Sequence, residues 1–121
     1  MIEIISILNE NIVGFSIDGK IEKSDIEKVT NLVEERLKSQ TKLRVYVELK
    51  KMEGISVEAF LEDLKLGLRH LKDFEKKAVV CDQNWISKFA VASNKIFTNI
   101  EVKCFPWSEK DQALEWIMSS S

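Results

Sequence analysis

Hydrophobic and polar positions alternate along this chain in two periods, and the switches between them lay out its elements. Glu3 to Leu8 and Ile12 to Asp18 alternate apolar with polar residues around Asn9-Glu10-Asn11, the signature of a β-hairpin with a short turn. The spacing then changes to that of a helix, with Ile26, Val29, Val33 and Leu37 on one face. Ser24 precedes this run and Glu27 follows three residues later, which predicts a capping box. Leu43, Val45, Val47 and Leu49 alternate with Arg44, Tyr46, Glu48 and Lys50, a period of two that predicts a strand.

Gly54 marks a turn and Ser56 is placed to cap a second helix, which sends Phe60, Leu61, Leu64, Leu68 and Leu71 inward and Glu58, Glu62, Lys65, Arg69 and Lys72 outward. Lys76 to Asp82 reads as a fourth strand, and Asn84 to about Lys95 as a third helix capped by Asn84. Ile100 to Phe105 reads as a fifth strand stopped by Pro106, and Ser108 to Met118 as a last helix, with Asp111 at the reciprocal capping position. The predicted order is ββαβαβαβα, an α/β fold with a mainly parallel sheet behind an N-terminal β-hairpin. Its crossovers should be right-handed.

A doubly wound sheet would make its strands continuously apolar. Here the third and fifth strands are two-faced. The expectation is a βα superhelix with helices mainly over one sheet face. Tyr46, Val79, Phe105 and part of the hairpin would lie on the other face, with Ile5, Phe15 and Tyr46 as the apolar residues a homodimer would cover.

Composition narrows the possibilities. At 121 residues, 45% hydrophobic and 31% charged, the chain fits one domain with a single core. Its 18 basic and 20 acidic residues are interspersed at a net charge of −2, so no basic surface for nucleic acid is expected. No apolar run approaches the roughly 20 residues of a membrane span, and the start MIEIISILNENIVGF reads as strand, not signal peptide. A cytoplasmic location is expected. Cys81 and Cys104 lack CxxC spacing, and the reading is buried reduced thiols, with neither disulfide nor metal.

Candidate chemistry is sparse. Gly14, Gly19, Gly54 and Gly67 form no phosphate-binding loop, so no nucleotide or other cofactor is expected. His70 is the single histidine and reads as a surface or capping residue near a helix end. Glu62, Asp63, Asp73 and Glu101 read as solvated carboxylates. Asp82 ends a strand at the side where α/β proteins bind ligands, with capping of the next turn as the first reading and ligand contact as the second. Ser56 reads as a helix cap, and a phosphate there would meet the helix dipole favourably.

The third helix carries Trp85, Ile86, Phe89, Ala90 and Ile96, more aromatic mass than a surface helix requires. Phe60, Leu64, Trp85 and Phe89 are expected to wall an apolar cleft between the second and third helices, with Ser56 and Asp82 orienting a polar head. Trp107 and Trp116 are expected to staple the last helix to the sheet.

The run FLEDLKLGLRHLKDFEKKAVVCDQNW resembles the core of the SpoIIAA-like proteins, a STAS-related bacterial family. Asp63, Leu64, Gly67, Asp73, Phe74, Lys77, Ala78, Val80, Asp82 and Trp85 carry the resemblance, with Lys20, Asp25 and Leu49 as weaker matches, and it extends from Gly14-Phe15 to Phe105 and Trp116. It implies a βα superhelix shared with anti-sigma-factor antagonists and with CRAL-TRIO lipid-carrier domains. STAS antagonists are phosphorylated in an Asp-Ser-Ser-Gly-type turn after the third strand. This sequence reads Lys51-Met52-Glu53-Gly54-Ile55-Ser56-Val57 there, so Ser56 alone matches by position. The resemblance implies a non-enzymatic module that holds a small hydrophobic or lipid-like ligand, or alternatively one that docks a regulatory protein partner and is switched at Ser56.

Overall fold

The structure, a computed structural model, describes residues 1–7, 9–67, 74–97 and 100–119. Expectations resting on Leu8, Leu68, Arg69, His70, Leu71, Lys72 and Asp73 lie outside the described residues. The elements run β1 (Ile2–Ile5), β2 (Ile12–Lys20), α1 (Lys23–Leu37), β3 (Leu43–Glu53), α2 (Val57–Gly67), β4 (Phe74–Val80), α3 (Gln83–Ile96), β5 (Glu101–Phe105) and α4 (Lys110–Met118), with a 3-10 turn at Trp107–Glu109 leading into α4. This is the predicted ββαβαβαβα order. The five strands form one sheet in sequence order, with β1 antiparallel to β2 and the remaining neighbours parallel.

Three helices share one sheet face. Val29 and Val33 of α1, Phe60, Leu61 and Leu64 of α2, and Phe89 and Ile96 of α3 close over Val13, Phe15, Val47, Leu49 and Val79 in the main core. The other face holds a smaller core of Ile12, Tyr46, Ala78, Val80 and Phe105 under Ala113 and Ile117 of α4. Winding is therefore mainly one-sided, but the expected open face is covered. Tyr46 is fully buried and Phe105 nearly so. Val79 points the other way, into the main core, and so does Phe15. The residues that suggested a homodimer are thus largely enclosed within the chain.

The polar positions of β3 explain how α4 docks there. Arg44 donates from Nη1 to the Ile117 carbonyl at 2.9 Å and to that of Ser119, at the carboxyl end of α4. Its Nε meets Glu75 at 2.9 Å. The Tyr46 hydroxyl donates to Glu48 at 2.8 Å, and Glu48 pairs at 3.3 Å with Lys110 at the amino end of α4. A cation thus meets the negative end of the helix dipole, where Lys76 also donates to Ser119 Oγ at 3.0 Å. Trp116 completes the contact, 6.1 Å from the Phe105 ring, with Trp107 packed beside it.

Helix starts follow backbone demand more than the nearest hydroxyl. α1 begins at Lys23 with Glu22 as its cap, and the box partner is Asp25, not Glu27. Asp25 accepts the Glu22 N–H at 2.9 Å and, from β1, the Ile2 N–H at 3.1 Å. One carboxylate therefore caps a helix and closes the hairpin edge onto it, which a Ser24 cap would leave undone. α3 begins at Gln83 with Asp82 in the cap position, two residues before the start that an Asn84 cap predicts. Gly54 sits at φ +81° where β3 turns toward α2, a conformation glycine adopts without strain.

Burial alone would raise the Asp25 carboxyl. The Glu22 and Ile2 amides, with the amino terminus and Lys28 nearby, hold it below its ordinary value. Its folded pKa lies under its unfolded one, so its stabilisation is complete above about pH 4 and is lost as pH falls through the lower folded value. Asp25→Ala should cost about 2–3 kcal/mol at pH 7, read from urea denaturation, and the gap from wild type should close in acid. Equal stability of the two proteins at pH 7 would contradict this role.

Candidate functional site

The carboxyl ends of β3 and β4 lead into α2 and α3, and the start of α2 and the outer side of α3 border a surface groove of about 700 Å³. Ile55, Ser56, Val57 and Glu58 form one wall, and Trp85, Lys88, Val91 and Lys95 line the other. The α3 residues fall at intervals of three and four, so one stripe of that helix faces the groove. Val91 is 69% exposed, a large apolar surface for a helix whose opposite face is core.

Charged side chains frame this apolar strip. Lys95 pairs with Glu58 across the groove at 3.5 Å, and Lys88 Nζ lies 5.0 Å from the Trp85 ring centroid. Both contacts are exposed and contribute little to stability. They can be rearranged by an occupant at small cost.

Ser56 is exposed at the amino end of α2, and its Oγ accepts the Ala59 N–H at 3.1 Å, the cap expected of it. Its carbonyl accepts the Phe60 N–H at 2.9 Å. Asp82 performs its cap role through the backbone, its carbonyl accepting from Trp85 at 3.0 Å and Ile86 at 3.2 Å. The Asp82 side chain makes no capping hydrogen bond.

Of the six residues expected at a ligand site, the groove brings Ser56 and Trp85 together. Phe60 and Phe89 are buried in the main core. Leu64 lines a separate, smaller cavity, and Asp82 is exposed at the start of α3 without lining the groove. The helices pack closely along their inner faces, so only the outer margin of the expected cleft is open. Glu58, Lys88, Val91 and Lys95 also line the groove and are not among the residues expected from the sequence. The signal for them was an apolar Val91 in the same helical stripe as Trp85.

Thiol chemistry is disfavoured. Burial, with Cys104 and Asp82 nearby, pushes the Cys81 thiol up to about 12, and burial raises Cys104 as well. Neither is a ready nucleophile. Among the described residues no group of three or more His, Cys, Asp or Glu side chains is arranged to hold a metal ion, and no helix is long and apolar enough to cross a membrane.

A mostly parallel sheet in sequence order, with an antiparallel leading hairpin, three helices on one face and a fourth closing the other, defines a βα domain of the SpoIIAA type. The sequence model of the SpoIIAA-like family matches residues 12–118, and the chain belongs to that family. A similar solved structure is an uncharacterized protein of the DUF3478 family with a SpoIIAA-like fold from Shewanella loihica PV-4, 28% identical over 97% of this chain and 92% of that one, with a TM-score of 0.70. No curated protein matches this chain.

Replacing Ser56 by Ala should cost about 1 kcal/mol through loss of the α2 cap, and Ser56→Asp should restore most of it. Urea midpoints of the three proteins measure this. An alanine variant as stable as wild type would mean the bond to Ala59 contributes nothing.

Proposed function

We propose that this domain is a non-enzymatic binding module that holds a small hydrophobic or lipid-like ligand between α2 and α3. The observation that carries the reading is the groove itself, an apolar strip of Ile55, Val57, Trp85 and Val91 with a charged rim at the carboxyl ends of parallel strands. That is the end at which open α/β sheets bind ligands. An acyl chain would lie against Trp85 and Val91, while Ser56, Lys88 and Lys95 would meet an anionic head. Asp82 does not line the groove, so the head-group role expected of it passes to Ser56 and the two lysines.

Palmitate should change the emission of Trp85, a signal isolated by comparing wild type with Trp85→Phe, since Trp107 and Trp116 pack on the opposite sheet face, Trp116 within α4 itself. Val91→Asp should weaken the response roughly tenfold by placing a charge in the apolar strip. Native mass spectrometry of gently purified protein should show a co-purifying lipid. Absence of bound lipid together with no Trp85 response would overturn the reading.

The exposure of Ser56 favours a second reading, a STAS-type protein-interaction module whose docking surface is the same end of α2. Phosphate there would favour the helix dipole and change the charge of the surface. Partners recovered equally by wild type, Ser56→Ala and Ser56→Asp would remove the switch. A cytoplasmic setting and self-association belong to this proposal, and sedimentation velocity decides the latter.

A further inference from the structure

Lys77 is a charge in an otherwise apolar row. Sheet register places Val13 beside Val45 and Val45 beside Lys77, so the row across the sheet face beneath α1, α2 and α3 is apolar until its third member. Lys77 is 7% exposed. Its ammonium lies 5.1 Å from the Phe97 ring centroid and 5.9 Å from that of Phe89. Among the described residues no carboxylate or carbonyl pairs with it. Cation-π contacts of this kind offset only part of the hydration an ammonium loses on burial. Burial accordingly draws its pKa down to about 8, with the Cys104 thiol acting in the opposite sense.

Beside this ammonium is a cavity lined by Val13, Val29, Val33, Leu64 and Phe97 together with Lys77. The space open to the centre of a water-sized sphere is about 40 Å³, several times the roughly 10–15 Å³ that one water needs on this measure. Buried waters usually make about three hydrogen bonds, and among the described residues Lys77 is the one polar side chain on the wall. A better occupant is small, carries one anionic end and is otherwise apolar. A long acyl chain is too large for it.

We propose that this cavity binds a short aliphatic monocarboxylate of about three to five carbons, its carboxylate on Lys77 Nζ and its tail against Val29, Val33 and Leu64. The protein has already desolvated the lysine, so the acid brings a counter-charge that no described residue supplies and adds only its own desolvation. The tail gains from leaving water. The cavity lies toward the amino ends of the parallel strands, away from the α2–α3 groove, and the proposal does not depend on the groove having a ligand.

Isothermal titration with isovalerate and with its neutral isostere isovaleramide tests this. The acid should bind roughly tenfold tighter or more, Lys77→Met should abolish that preference, and Trp85→Phe should keep it. Methyl-labelled protein should show nuclear Overhauser contacts from isovalerate to Val29, Val33 and Leu64. Equal affinity for acid and amide, no binding at millimolar ligand, or contacts confined to surface methyl groups would each overturn the proposal. The wild-type acid-to-amide ratio and the methyl contacts decide it even if Lys77→Met does not fold.

Discussion

The central strand β3 has to be covered on both faces, and the rest of the structure is arranged around that constraint. Its odd-numbered residues Leu43, Val45, Val47 and Leu49 belong to the core beneath α1, α2 and α3. On the opposite side Arg44, Tyr46 and Glu48 hold the last helix. Arg44 satisfies carbonyls at its carboxyl end and Glu48 pairs with Lys110 at its amino end. Tyr46 between them is buried because its hydroxyl has a partner in Glu48. Without α4 this face would expose Ile12, Tyr46, Ala78, Val80 and Phe105 to water.

Covering both faces also determines where open surface is left between the helices. The main core consumes the inner sides of α2 and α3, including Phe60 and Phe89, so only the outer edges of those helices border the open groove. Parallel strands bring both helix starts to one end of the sheet, where exposed Ser56 and half-buried Trp85 face the same groove. At the opposite end, among the described residues, a cavity lies beneath the last turns of α2 and α3. The one charged member of an apolar row, Lys77, borders the space that remains.

Much of the fold was legible in local pattern. The periods of two and 3.6 gave the element order, Asn9 to Asn11 gave the hairpin turn, and Gly54 with Ser56 gave the entry to α2. The family resemblance rested on residues that the matched segment includes. What local pattern could not show was the destination of the polar side chains. Arg44 and Glu48 look solvated in a period-two strand, because alternation separates two faces without saying what covers either. Asp25 has the same ambiguity, since its second partner, Ile2, comes from a strand 23 residues away. In the candidate site, Trp85 and Ser56 were visible as an aromatic and a cap. Phe60, Leu64 and Phe89 share the composition of a ligand cleft, but core packing claimed Phe60 and Phe89, and the inner cavity claimed Leu64.

The most direct test of this account is the stability of Arg44→Met in urea. If Arg44 anchors α4 to β3, removing its guanidinium leaves helix-end carbonyls without their donor and should cost about 2–3 kcal/mol, with near-ultraviolet signals of Trp107 and Trp116 altered. A solvated strand arginine predicts a change within about 0.5 kcal/mol. That smaller value, with unchanged tryptophan signals, would contradict the claim that the polar face of β3 is what holds the last helix in place.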